Sequence, residues 1–131
     1  DTSPAEDEVL NDALGVLREA AAACKTVVIA AGDLAHVGPA FGDRYPIDIM
    51  EKARLKTADE RLMSSVCSGN ADGLLELIRS DGDRSRICGL PPIYMALSLL
   101  GDTDGAVTGY AQCPADQAAD SYVSICGIVW R

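Results

Sequence analysis

With 131 residues, 48% of them hydrophobic, the chain is long enough to bury the core of one domain. Only 5% of the residues are aromatic, so small aliphatic side chains must fill most of that core. The formal charge of −9, with no Lys/Arg cluster set against it, excludes the basic footprint that nucleic acid or an anionic membrane surface requires. No apolar run approaches the roughly 20 residues of a membrane span. The first residues, DTSPAEDE, are acidic and do not form a secretory signal. Five cysteines, odd in number and without a CxxC pair, fit reduced thiols in a cytoplasmic protein better than a disulfide framework or a zinc ribbon. The chain lacks an initiator Met, and it is expected to be a piece of something longer.

Ser3-Pro4-Ala5-Glu6 offers an N-cap, a proline at the first helical position and a capping-box glutamate. Leu10, Ala13, Leu14 and Leu17 then recur at helical spacing, and the alanines at 20–23 continue the helix. Val27-Val28-Ile29-Ala30-Ala31 follows, an apolar and β-branched run that predicts a strand buried on both faces. Helix, short connector and strand make half of an α/β unit.

The run ends at Gly32 and delivers Asp33 and His36, the molecule's sole histidine, into a loop bearing Gly38, Pro39 and Gly42. Residues 47–50 read as a short helix or an irregular segment. Thr57-Ala58-Asp59-Glu60 resembles a capping box opening a helix whose apolar face is Leu62, Met63 and Val66. Asn70 caps a further helix with Leu74, Leu75, Leu77 and Ile78, which Asp81-Gly82-Asp83 ends. Charges between these apolar positions are expected on a solvated face.

Pro91 and Pro92 open another helix, with Ile93, Ala96, Leu97 and Leu100 as its stripe. A turn cluster at 101–105 leads to a strand over 106–112, a loop over 113–120, and a final strand over 121–130 in the interior of the sheet. The whole predicts a single layered α/β domain over 1–131.

Chemistry concentrates beyond the first predicted strand. If the loop makes a helical turn, Asp33 and His36 share one face and suit either metal binding or acid–base work in which the carboxylate orients the imidazole. A catalytic metal generally takes three protein ligands, so a thiolate is the natural third. Cys88 stands just before a helix start, where the dipole favours a thiolate. Cys113, in the loop near Asp116 and Asp120, is the other candidate, whereas Cys126 belongs to the core. A Cys–His hydrolase using His36 has no local signature. Gly38, Gly42 and Gly89 form neither a dinucleotide nor a P-loop fingerprint. Arg44, Arg84 and Arg86 are expected in surface salt bridges, and Tyr94 and Tyr110 at the edge of the core.

AAGDLAHVGPAFGD, DGDRSRICGLPPIYMALSLL, GYAQ and DSYVSICGIVW occur in this order, and together they resemble the Memo family. Its prokaryotic members are described as protein B of the AMMECR–Memo–radical SAM system. The resemblance covers the C-terminal half of a usual member. It implies an α/β/α fold with a central mixed sheet, similar to class III non-haem iron extradiol dioxygenases. It also implies an altered metal pocket in which Asp33, His36 and Cys88 are ligands, with Asp33 and His36 as catalytic residues and iron or copper as the metal. After Gly89 the family often continues with arginine and histidine, where this chain has Leu90 and Pro91. Two further histidines of the family pocket have no counterpart here.

The chain by itself is therefore expected to bind metal poorly and not to complete a dioxygenase reaction. The alternative is a non-enzymatic module that keeps the pocket to recognise a peptide or small ligand. AMMECR-like and radical SAM proteins are the implied partners. Self-association or a companion N-terminal half is expected to cover an open sheet edge or apolar face.

Overall fold

The computed structural model describes residues 4–131. The described residues form four helices and a three-stranded sheet, so the chain has the mixed α/β fold expected from its sequence. The helices are α1 (Glu8–Ala22), α2 (Ile49–Cys67), α3 (Ala71–Asp81) and α4 (Leu90–Leu100). The strands are β1 (His36–Val37), β2 (Gly105–Pro114) and β3 (Tyr122–Trp130), in the order β1-β3-β2. Both pairings are antiparallel, and β3 is the interior strand, as its sequence predicts.

Local chemistry explains most of the boundaries. Asp7 caps α1 by accepting from the Leu10 N–H at 3.0 Å, and Pro4–Glu6 forms a 3-10 turn before it. The cap of α1 is thus Asp7; Ser3, the N-cap offered by the sequence, lies outside the described residues. Asn70 Oδ1 accepts from the Gly73 N–H at 2.8 Å and starts α3. Gly82, in the left-handed region at φ 72°, ends it, as Asp81-Gly82-Asp83 predicts. Pro91 and Pro92 occupy the first turn of α4, where their missing N–H groups cost no helix bond.

Three expectations are corrected. First, residues 27–31 are not a buried strand. Val27 and Ile29 are 84% and 81% exposed, and among the described residues this segment makes no backbone–backbone hydrogen bond. A strand needs a partner along its edge. Here β3 meets the incoming chain only from Leu34 onward, so the apolar run before it passes the sheet without joining it.

Second, α2 does not open at Thr57. It begins at Ile49, capped by Asp48, which accepts from the Glu51 N–H at 2.8 Å. Thr57 lies inside it and returns its hydroxyl to the Ala53 carbonyl. Third, Cys113 sits within β2 opposite Val123, not in a loop.

The core is aliphatic. Leu34, Leu62, Met63, Val66, Leu74, Ile78, Ile87, Ile93 and Leu97 form one buried cluster. Tyr110, Cys126, Ile128 and Trp130 bring one face of the sheet against it. On the other face Ile125 and Val129 are 40% and 51% exposed. Of the predicted stripe on α1 only Leu14 is buried, and Leu17 is solvent-facing. All five cysteines are free thiols. Among the described residues, no helix is long and apolar enough to cross a membrane.

Candidate functional site

The site is built where the chain first joins the sheet. Leu34 and Ala35 are 2% and 0% exposed, and both are anchored to Ser124 of β3. The Leu34 N–H donates to the Ser124 carbonyl at 2.9 Å, and the Ser124 N–H donates to the Ala35 carbonyl at 2.9 Å. The Ala35 N–H donates to the Ser124 hydroxyl, also at 2.9 Å. These two pinned residues separate Asp33 from His36, so the spacing of the two side chains is a property of the β3 edge.

A second segment, residues 83–89, closes over the first. The His36 N–H donates to the Ser85 carbonyl at 2.7 Å, and the Gly89 N–H donates to the Asp33 carbonyl at 2.8 Å. This approach demands glycine on both sides. A Cβ on Gly32 would lie 2.6 Å from the Gly89 Cα, and one on Gly89 would lie 2.6 Å from the Asp33 carbonyl oxygen. The contact carries Cys88 to the aspartate, where the Asp33 N–H donates to the sulfur at 3.3 Å.

The result is a cluster of three different donors. One ligand atom from each of Asp33, His36 and Cys88 lies within 4.8 Å of the other two. His36 Nε2 is 3.8 Å from Asp33 Oδ2. The ring is oriented from behind, because Nδ1 lies 3.1 Å from the Arg86 carbonyl, which can only accept. That bond assigns the proton to Nδ1 and leaves the Nε2 lone pair on the side of the Asp33 carboxylate. Phe41 meets the ring edge-on at 5.1 Å between centroids. The Asp33 side chain is 50% exposed and Cys88 is exposed, so the cluster opens to solvent on one side.

Arg86 straps the turn. Its guanidinium donates to the His36 carbonyl at 3.0 Å and forms a two-pronged pair with Asp43. Asp43 in turn accepts from the Gly38 N–H at 2.7 Å. The Arg86 guanidinium holds the Asp43 carboxyl below its ordinary value, against a smaller opposing effect of burial. Arg86 has φ 51°, a left-handed conformation that costs a non-glycine residue about 1–2 kcal/mol and is maintained by these contacts. Its predicted role in a salt bridge is thus met, and the bridge braces the site.

Donor chemistry fits a metal. A carboxylate, an imidazole with a free Nε2 and a thiol are ligands for a borderline first-row ion, and three protein ligands with an open side is the usual catalytic arrangement. In such a site the ligand atoms lie about 3–4 Å apart, so the observed 3.8 Å separation needs only small side-chain movements. Cys113 does not contribute to this cluster, nor does Cys126, which packs against the core.

One set of polar residues is not foreseen by the pattern of the sequence. Asp59 is 0% exposed, which overturns the expectation that the charges along α2 face solvent. Its Oδ2 accepts from the Tyr110 hydroxyl at 2.8 Å, and Tyr110 accepts from Gln112 Nε2 at 3.0 Å. Gln112 also donates to the Lys52 carbonyl. Burial raises the Asp59 carboxyl above its ordinary value, while Ser124 and Tyr110 favour the ionised form less strongly. The Ser124 hydroxyl is near enough for that influence, yet Asp59 Oδ1 has no hydrogen bond of normal geometry. Tyr110 is likewise raised, first by burial and then by the bond to Asp59. A signal for Asp59 does exist in the sequence. It continues the 55, 59, 62, 66 stripe of α2, at a place where an apolar residue would be expected.

A family model described as Memo-like protein matches residues 3–129. The chain belongs to this family. No curated protein matches it.

Proposed function

We propose that Asp33, His36 and Cys88 form a metal site, binding iron or copper, in a Memo-like protein related to non-haem iron extradiol dioxygenases. The observation that carries this reading is the convergence of three unlike donors, with His36 Nδ1 occupied by a carbonyl and Nε2 left free. A bound ion would supply Lewis-acid or redox chemistry at the open side. The residues' own tasks are separable. His36 is presented in one tautomer, Asp33 offers a carboxylate beside it, and Cys88 offers a sulfur held by the Asp33 backbone. His36 is the sole histidine, so the ligand set lacks the further histidines that the family resemblance implies, and affinity in this chain is expected to be modest.

Elemental analysis after reconstitution with Fe(II) or Cu(II) tests the reading. Bound metal should fall at least tenfold in Asp33→Ala, His36→Ala and Cys88→Ala. Equal uptake by all three variants and the parent chain would overturn it.

A second reading is a non-enzymatic module that uses the same open pocket for a peptide or small ligand, in partnership with AMMECR-like or radical SAM proteins. The half-exposed Asp33 and exposed Cys88 favour an accessible surface of this kind. Ligand binding that survives Asp33→Ala and His36→Ala would select it. Association with a second copy or a companion segment belongs to either reading, supported by bare Val27 and Ile29 beside the incompletely paired β3. Light scattering that shows a monomer over a wide concentration range would count against association.

A further inference from the structure

We propose that Ser124 and the buried Asp59 behind it are positioning residues that set the relative placement of Asp33 and His36. Three observations converge. Ser124 makes all three hydrogen bonds that hold Leu34 and Ala35, the two residues between the site side chains. Ser124 is 0% exposed, so its hydroxyl has no water to turn to. Asp59, also 0% exposed, has the Ser124 side chain acting on its carboxyl, with Oδ1 making no hydrogen bond of normal geometry, while Oδ2 ends the Gln112–Tyr110 chain.

The arrangement is a brace from α2 through β3 to the site. The Tyr110 hydroxyl and Gln112 fix the carboxyl of Asp59, and Asp59 limits the rotation of the Ser124 hydroxyl. With that hydroxyl fixed, the Ala35 N–H has one place to bond. Neither residue touches the open side of the cluster, so both act through the backbone between Asp33 and His36. Buried polar networks specify geometry through their satisfied members, here the Ser124 hydroxyl on the Ala35 N–H and the Gln112–Tyr110 chain on Asp59 Oδ2. The functional consequence, metal affinity, rests on the metal-site reading; the geometric one does not.

Because His36 is the only histidine, its imidazole gives a single unambiguous signal in nitrogen-15 NMR, read without metal. The parent chain should show the Nδ1–H tautomer. Ser124→Ala and Asp59→Leu should lose that fixed tautomer, giving averaged ring-nitrogen shifts. Asp59→Asn keeps an acceptor for Tyr110 and offers a donor toward Ser124, and should retain the parent pattern. Leu74→Ala, a core truncation in α3, controls for lost stability alone and should also retain it.

Co(II) titration read by absorption is the second arm. Ser124→Ala and Asp59→Leu should bind at least tenfold more weakly than Leu74→Ala. If both variants keep the parent tautomer, the positioning inference is wrong whatever the metal result. If the parent chain takes up no Co(II) while the tautomer responds as stated, the metal reading fails and the positioning stands.

Discussion

Residues 26–31 and 32–37 are neighbours in sequence, and their fates are opposite. The first is apolar and β-branched, yet Val27 and Ile29 are more than four-fifths exposed and no strand pairs with them. The second is equally long and contains a glycine and an aspartate, yet Leu34 and Ala35 are sealed and bonded to Ser124, while Asp33 and His36 on either side of them are bonded to the 83–89 segment. The difference shows that composition makes a segment suitable for a sheet but does not place it in one. Pairing does that, and pairing depends on which edges remain free.

Truncation should expose this contrast most strongly. Leu34→Ala removes a side chain buried in the main cluster and should cost about 2–5 kcal/mol, whereas Ile29→Ala should change stability by no more than about 0.5 kcal/mol. Urea denaturation measures both, and a large loss at Ile29 would show that the apolar run is covered in solution.

A smaller effect is expected where the two site segments touch. Gly89→Ala forces a Cβ against the Asp33 carbonyl oxygen and should destabilise by about 1–3 kcal/mol, with weaker metal uptake because Cys88 is displaced. Retention of parent stability would mean that the 83–89 segment yields without strain.

Asp59 tests whether the brace behind Ser124 is bought at the expense of stability. Its folded pKa lies above the unfolded value of about 3.9. Its contribution is therefore fully present below that unfolded value and is lost as pH rises through the folded pKa. Asp59→Asn, which cannot ionise, should accordingly melt higher than the parent at neutral pH, and the gap should close as the solution is acidified toward pH 4. A gap that stays constant with pH would refute the assignment.

The Asp43–Arg86 strap should give the smallest change and the opposite sign. Asp43's folded pKa is depressed, so its stabilisation is present above the unfolded pKa and is lost as pH falls through the folded one. Both side chains are about a third exposed or more, and solvent screening limits the pair to about 0–1 kcal/mol. Asp43→Asn should therefore lower neutral-pH stability slightly and flatten its decline at acid pH, measured by thermal melts.

Much of this architecture was legible in the residues. The Asn70 and Gly82 boundaries of α3, the prolines of α4 and the interior position of β3 follow from capping chemistry and hydrophobic pattern. The candidate site was legible in part. Asp33 and His36 stand out as a carboxylate and the sole histidine after an apolar run, and family resemblance singled out Cys88 over Cys113. Two features were not visible. The α2 start was hidden because Thr57-Ala58-Asp59-Glu60 has the form of a capping box inside a helix already under way. Burial of Asp59 was hidden because a carboxylate on a helix is ordinarily solvated, and its partners Tyr110 and Ser124 come from strands more than 50 residues away.

The sequence alone determined the residue types available for chemistry, the Asn70 and Gly82 ends of α3 and the aliphatic character of the core, because these depend on near neighbours and on side-chain polarity. Only the tertiary structure decided that Gly32 and Gly89 meet, that Cys88 therefore reaches Asp33, and that Val27 and Ile29 are left without a partner. Those outcomes depend on which backbone edges and which gaps between distant segments the rest of the fold leaves open.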